Sequence, residues 1–169
     1  MAIPVRSLLA LSLVLGMGSG SLTACGDNDQ KESKKLANEA VQAAGQGQLT
    51  EAEELLEKAT ATYRDNHNAW YNLGFVREQM KEYEGAAEAY SEAARVKDSD
   101  AMYHYKLGKA YWNSNNISQA QSALERAVQL NARLYGAQYH LGQVYEKQGK
   151  PKEAAGAWTA SATLAPTFG

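Results

Sequence analysis

The sequence predicts an all-α chain of stacked antiparallel helix pairs, and three observations predict it. A Leu-Gly pair recurs at Leu73-Gly74, Leu107-Gly108 and Leu141-Gly142, at a constant spacing of 34 residues. A small, a large and a small residue follow each pair at the same offsets: Ala86, Tyr90 and Ala93; Ala120, Leu124 and Ala127; Ala154, Trp158 and Ser161. No stretch alternates apolar and polar residues as a half-buried strand would. A fixed period of this length, free of insertions, is the mark of a repeat array.

The elements follow in order. Lys34 to Ala44 is rich in helix formers, and Gly45 and Gly47 mark a turn. Leu49 to Thr62 carries apolar residues at Leu49, Ala52, Leu55, Leu56 and Ala59, a helical spacing, with Thr50 and Glu53 placed for a capping box. Tyr63 to Asn66 connects to a helix over Asn68–Lys81, whose partner is Tyr83–Lys97. Asp98-Ser99-Asp100 are turn formers. Met102–Asn113 and Ile117–Leu130 form the next pair, turned by Asn115-Asn116, with Asn116 or Ser118 as N-cap. Tyr135–Gln148 ends at Gly149, Pro151 suits the first turn of the last helix, and Pro166 stops that helix beyond Leu164.

Each helix-interior glycine of the Leu-Gly pairs costs about 1 kcal/mol relative to alanine. Three such glycines in register imply a return, and close approach of the partner helix is the one expected. Alanines thin the second helices, and large residues fill the spaces left. One helix pair cannot bury its own apolar face, so the units stack.

This skeleton resembles the tetratricopeptide repeat (TPR). Residues 67–100 supply Trp70, Leu73, Gly74, Tyr83, Ala86, Tyr90 and Ala93. Residues 101–134 supply Leu107, Gly108, Tyr111, Ala120, Leu124 and Ala127, and 135–168 supply Leu141, Gly142, Tyr145, Ala154, Trp158 and Pro166. A weaker unit over 33–66 has Glu39-Ala40 where Leu-Gly stands elsewhere. The resemblance implies a TPR α-solenoid over 33–168: a right-handed superhelix of antiparallel helix pairs in about four repeats.

Composition narrows the function classes. The chain has 169 residues, a formal charge of −2 and a pI of about 5.9, with no block of like charge. Nucleic-acid binding, which needs a basic stripe, is therefore not expected. One cysteine excludes an internal disulfide. That cysteine closes a secretory layout: a start to Arg6 with one positive charge, an apolar run from Leu8 to Leu15, small residues from Gly16 to Ser21, then Leu22-Thr23-Ala24-Cys25. The apolar run is shorter than the ~20 residues a spanning helix needs.

Leu-Thr-Ala-Cys resembles a bacterial lipobox. The resemblance implies removal of residues 1–24 as a lipoprotein signal peptide and acylation of Cys25 with palmitate-type chains. The alternatives are an ordinary signal with a chance cysteine, or a free thiol. Gly26 in place of Asp after the cysteine implies the periplasmic face of the outer membrane, within the bacterial cell envelope. Residues 25–32 form a lipidated polar tether. Gly26 to Ser33 lacks any apolar residue and reads as flexible, reaching about 27 Å when extended.

In TPR proteins the first helices line a concave groove. Matched position by position, the resemblance offers as groove residues Asn68, Tyr71, Asn72 and Phe75, with Glu78 and Gln79. It then offers Met102, Tyr105, Lys106, Lys109 and Trp112, with Asn113, and finally Tyr139, His140 and Gln143, with Gly136, Glu146 and Lys147. Tyr71, Tyr105 and Tyr139 share one position and would form a row of broad apolar faces with hydroxyls. Asn72, Lys106 and His140 beside them could hold the backbone or carboxylate of a peptide. The competing reading makes the same tyrosines packing between neighbouring helices.

His67, His104 and His140 form no pair at metal-ligand spacing, and Gly45-Gln46-Gly47 lacks the Lys-Ser/Thr of a phosphate loop, so neither metal nor cofactor is expected. Glu51, Glu53, Glu54 and Glu57 read as a solvated face. The expected function is a non-enzymatic, lipid-anchored envelope scaffold that binds proteins, similar in plan to the TPR lipoproteins of outer-membrane or pilus and secretion assemblies. The alternative is an accessory subunit tethering a peptidoglycan enzyme or protease. Ala154, Ala155, Ala157, Trp158, Ala162 and Leu164 on the last helix suggest self-association through that end.

Overall fold

The computed structural model describes residues 21–165, with side chains from residue 26. Eight helices make up those residues: α1 (Ser21–Gly45), α2 (Leu49–Thr62), α3 (His67–Gln79), α4 (Tyr83–Val96), α5 (Ala101–Asn113), α6 (Ile117–Leu130), α7 (Tyr135–Lys147) and α8 (Pro151–Leu164). No strand occurs among the described residues. Each helix packs on its chain neighbours, and α1 also touches α3 and α5 touches α7. Odd-numbered helices thus form one layer and even-numbered helices the other, as in a solenoid.

The glycines do what their spacing predicts. A methyl group on Gly74 would lie 2.7 Å from the Tyr90 ring, and one on Gly108 would lie 2.6 Å from Leu124 Cγ. A methyl on Gly142 would strike the Trp158 indole. The large residue sixteen positions on therefore fills the notch its glycine leaves, pinning three of the four hairpins.

All four hairpins turn in the same way. The chain takes positive φ at Gly47 (80°), Lys81 (65°), Asn115 (63°) and Gly149 (72°), again one repeat apart. The following amide reaches back to the helix in each: Gln48 N to Ala43 O, Glu82 N to Arg77 O, Asn116 N to Tyr111 O and Lys150 N to Tyr145 O, at 2.8–3.0 Å. This is the Schellman closure, which satisfies carbonyls that the helix end would orphan. The weakest unit in sequence shares it.

Caps are mixed. Asn66 accepts from Ala69 N and Asp100 from Met102 N, opening α3 and α5. Asn116 stands at the N-cap of α6, but its amide donates to Ser114 Oγ instead of capping. The expected Thr50/Glu53 box is absent: α2 starts at Leu49, and Glu53 accepts from Arg77.

One expectation is overturned. Gly26 to Ser33, read as a flexible tether, belongs to α1, which runs unbroken from Ser21. Adding residues to an existing helix avoids the cost of nucleation, so even a polar segment can extend it. Ser33 is fully buried. Its hydroxyl donates to Ala59 O at 2.7 Å and accepts from Asn66 Nδ2 at 2.8 Å. Eight residues of helix span about 12 Å, less than half the extended reach. Residues 1–20 of the expected signal peptide 1–24 and Pro166 lie outside the described residues, as does the side chain of Cys25.

Candidate functional site: the inner-helix trough

Five large apolar side chains are exposed among the described residues: Val41 (52% exposed), Phe75 (40%), Met102, Tyr135 and Tyr139 (48%). All five stand on α1, α3, α5 or α7. The second helices bury mostly alanine, including Ala86, Ala87, Ala89, Ala93 and Ala94 of α4. The contact-competent apolar surface therefore belongs to the inner layer.

At its N-terminal end this layer opens into a cavity of about 660 Å³, lined by Val41, Ala44, Leu49, Tyr71, Asn72 and Phe75, among others, with Gln79. None of its lining residues is charged. The space arises because α1 is thin there. Ala37, Ala44 and Gly45 occupy the positions that Tyr71, Glu78 and Gln79 hold one repeat later.

Further along sits an ionic centre. The Glu78 side chain, 10% exposed, accepts from Lys109 Nζ at 2.6 Å and Lys106 Nζ at 3.3 Å. The Tyr90 hydroxyl donates to it at 3.0 Å. Burial pushes the Glu78 carboxyl up, but the hydrogen bond from Lys109 and the two ammonium charges outweigh it and hold the group below its usual range. Lys109 is raised, chiefly by its hydrogen bond to Glu78. Lys106 also lies 5.6 Å over the Phe75 ring.

The sequence-predicted residues share the inner layer but not one role. Tyr71 is half-buried, packed on the rings of Tyr90 and Tyr103 at 5.6 and 5.3 Å. Tyr105 packs on His140, and its hydroxyl crowds Gly136. Only Tyr139 of the three stands open, edge-on to His140. The expected even row of tyrosines is thus split, two filling joints between repeats and one facing out. Asn68 accepts from the Tyr103 hydroxyl, and His67 Nδ1 lies 2.7 Å from that same oxygen.

The expected free donors are engaged. Lys106 and Lys109 hold Glu78, and Lys147 lies against Asn115 and over Trp112. His140 pairs with Gln143 at 2.8 Å, and burial keeps its imidazole below its ordinary value, so it is neutral near pH 7. Sequence reasoning missed Val41 and Ala44 as cavity walls and Glu78 as the ionic hub. The available signal for the hub was one acid at the twelfth position facing lysines at the sixth and ninth of the next repeat.

Elsewhere, Arg77 clamps Glu53 (2.7 Å) and Glu57 (2.6 Å), so part of the glutamate face joins α2 to α3 instead of standing solvated. Beyond Pro151, the exposed apolar residues of α8 are the small Ala155, Gly156 and Ala162, because Trp158 is half-buried against Gly142. Among the described residues no cluster could hold a metal, and no helix is long and apolar enough to cross a membrane.

Comparison with known proteins decides the family. Two family models, both described as tetratricopeptide repeat, match residues 43–110 and 105–167, together well over half of the chain. The chain belongs to the tetratricopeptide-repeat family. Solved structures agree on the fold. A crystal structure of MamA superposes with a TM-score of 0.78 at 22% identity, covering 82% of this chain and 75% of that one. MamA 41-end from Desulfovibrio magneticus RS-1 gives 0.72 at 23%, covering 78% and 75%. YrrB, titled a TPR protein with an unusual peptide-binding site, gives 0.72 at 21%, covering 89% and 78%. A stretch of 80 residues is 25% identical to RNA polymerase-associated protein CTR9 of Caenorhabditis elegans, and the chain spans only 7% of that relative. Tetratricopeptide repeats are protein-interaction modules, and the exposed inner layer fits that general role.

Proposed function

We propose that this protein is a non-catalytic adaptor of the bacterial cell envelope, held at the periplasmic face of the outer membrane by acyl chains on Cys25. Its inner-helix trough captures a segment of a protein partner, in the service of an outer-membrane, pilus or secretion assembly. The observation that carries the binding role is that, among the described residues, all five exposed large apolar side chains stand on α1, α3, α5 and α7. Apolar surface concentrated on one layer of an otherwise polar surface marks a contact site. YrrB, of similar fold, is titled for a peptide-binding site. The anchor rests on Leu22-Thr23-Ala24-Cys25. More than one acyl chain is needed for stable anchoring.

A photo-crosslinking residue at Phe75, compared with one at Gly156 on α8, tests the trough in living cells. Discrete adducts from position 75 but not 156 are expected, and the reverse pattern defeats the trough. Metabolic labelling with an alkynyl palmitate tests the foot, with signal expected in the natural chain and none in Cys25→Ser.

A further inference from the structure

The inner layer offers two kinds of surface: a cavity without charge, and beside it two lysines. Two ammonium groups at the edge of an apolar trough would ordinarily invite an acidic partner. Here one carboxylate ties down both ammonium groups and leaves the cluster a single net positive charge. Glu78 takes Lys109 at 2.6 Å and Lys106 at 3.3 Å, and Tyr90 completes its hydrogen bonds at 3.0 Å. Both lysines are largely covered, their side chains 17% and 31% exposed. A partner carboxylate approaching either one would stand against Glu78, a like charge in the same shell. A partner cation finds no free carboxylate there, because the three donors occupy Glu78. Phe75 bridges the two regions, lining the cavity and lying under Lys106.

We infer that Glu78 determines which partners the trough accepts: as an internal counter-ion it cancels one of the two ammonium charges of Lys106 and Lys109 and ties both groups down, so the site takes an uncharged segment that seats bulky apolar side chains in the cavity beside Val41, Tyr71 and Phe75 in preference to an acidic one. The inference rests on the trough reading above and names the partner's chemistry. Complementarity of charge is the argument. The cavity's polar groups are neutral, the Asn72 and Gln79 amides and the Tyr71 hydroxyl, suited to a peptide backbone and not to a charged side chain. Removing Glu78's charge should raise the cluster from one net positive charge to two and release both ammonium groups to a partner carboxylate.

The test uses the full chain in detergent and two fluorescent, amidated peptides of equal length. One is neutral and built of Leu, Phe, Ser and Gly, and the other keeps its Leu and Phe but exchanges Ser for Asp and Glu. The natural chain should bind the neutral peptide at least tenfold more tightly than the acidic one. Glu78→Gln should gain at least tenfold for the acidic peptide, and the gain should shrink with added salt. Phe75→Asp should lose the neutral peptide. The natural chain's preference between the two peptides is read without any variant, so it decides the matter if Glu78→Gln fails to fold by circular dichroism. Preference of the natural chain for the acidic peptide overturns the inference, as does a folded Glu78→Gln with no gain. If the natural chain binds neither peptide while Glu78→Gln captures the acidic one, the masking role of Glu78 stands and the apolar trough is lost.

Discussion

Replacing Gly108 with alanine separates the two forces that act on the repeat's glycine. Intrinsic propensity favours alanine in a helix interior by about 1 kcal/mol. Packing opposes it. The new methyl would meet Leu124 Cγ at 2.6 Å, Cδ2 at 2.9 Å and the Leu124 backbone N at 3.1 Å. Carbon atoms prefer separations of about 3.5–4.0 Å, so roughly 1 Å must be found. Leu124 has no exposed surface into which it could swing, and one of the three atoms is backbone. Overpacking of this kind costs about 1–3 kcal/mol, and a rigid neighbour puts this site at the upper end. Subtracting the propensity gain leaves a net loss of about 2 kcal/mol. For a chain of this size that is a fall of about 4–8 °C in melting temperature.

Gly156→Ala is the internal control. Gly156 lies inside α8, is exposed, and a methyl there meets nothing within 4 Å. The same chemical change should therefore stabilise, by up to about 1 kcal/mol. Thermal and urea unfolding followed by circular dichroism should move in opposite directions for the two variants. A Gly108→Ala chain as stable as the natural one would refute the close-approach argument. So would a Gly156→Ala chain that loses stability.

Other outcomes follow from single contacts. Lys81→Gly should stabilise by about 1 kcal/mol in urea titration, since a non-glycine residue there holds a left-handed conformation. Ser33→Ala should cost about 1–3 kcal/mol, because it orphans the buried amide of Asn66 and removes a bond to Ala59 O; a neutral result would mean the first helix pair is not locked at Ser33. Glu78 has a folded-state carboxyl below its ordinary value of 4.5, so its stabilisation is complete above that pH and declines as pH falls through the lower native value. Urea midpoints measured from pH 6 downward should fall more steeply in the natural chain than in Glu78→Gln, and parallel curves would contradict the pairing.

Much of the fold is legible in the sequence, because its period is stored in residues with one possible use. Gly74, Gly108 and Gly142 have no role in a helix except to admit Tyr90, Leu124 and Trp158, and those partners stand at a fixed offset. Gly47 and Gly149 mark turns directly, whereas Lys81 at the equivalent place gives no signal and is fixed by the hairpin around it. The extension of α1 through Gly26–Ser33 was not legible. Gly26, Asp27, Asn28 and Asp29 are poor helix formers, and the extension rests on propagation from a packed helix and on one buried hydroxyl. At the candidate site, position numbers placed the right residues on the inner layer but could not say which were spent. Whether Lys106 points at a partner or at Glu78 depends on how neighbouring helices tilt, and no single helix's pattern encodes that.

The layout of the trough follows from how the array covers its core. Second helices rich in alanine allow close stacking but carry little that could grip a partner. The first helices hold the large side chains, and most of those are consumed at joints: Tyr71 on Tyr90 and Tyr103, Tyr105 on His140. The first repeat breaks this economy. With Ala37 where later repeats have tyrosine, and with Ala44 and Gly45 where the next repeat has Glu78 and Gln79, α1 cannot fill the space before α3. Phe75 and Val41 are left facing an open volume, while the next joint along is closed by an ion cluster. The poorest match to the repeat pattern is thus where binding surface becomes available, because the substitutions that weaken the pattern are the ones that empty the groove.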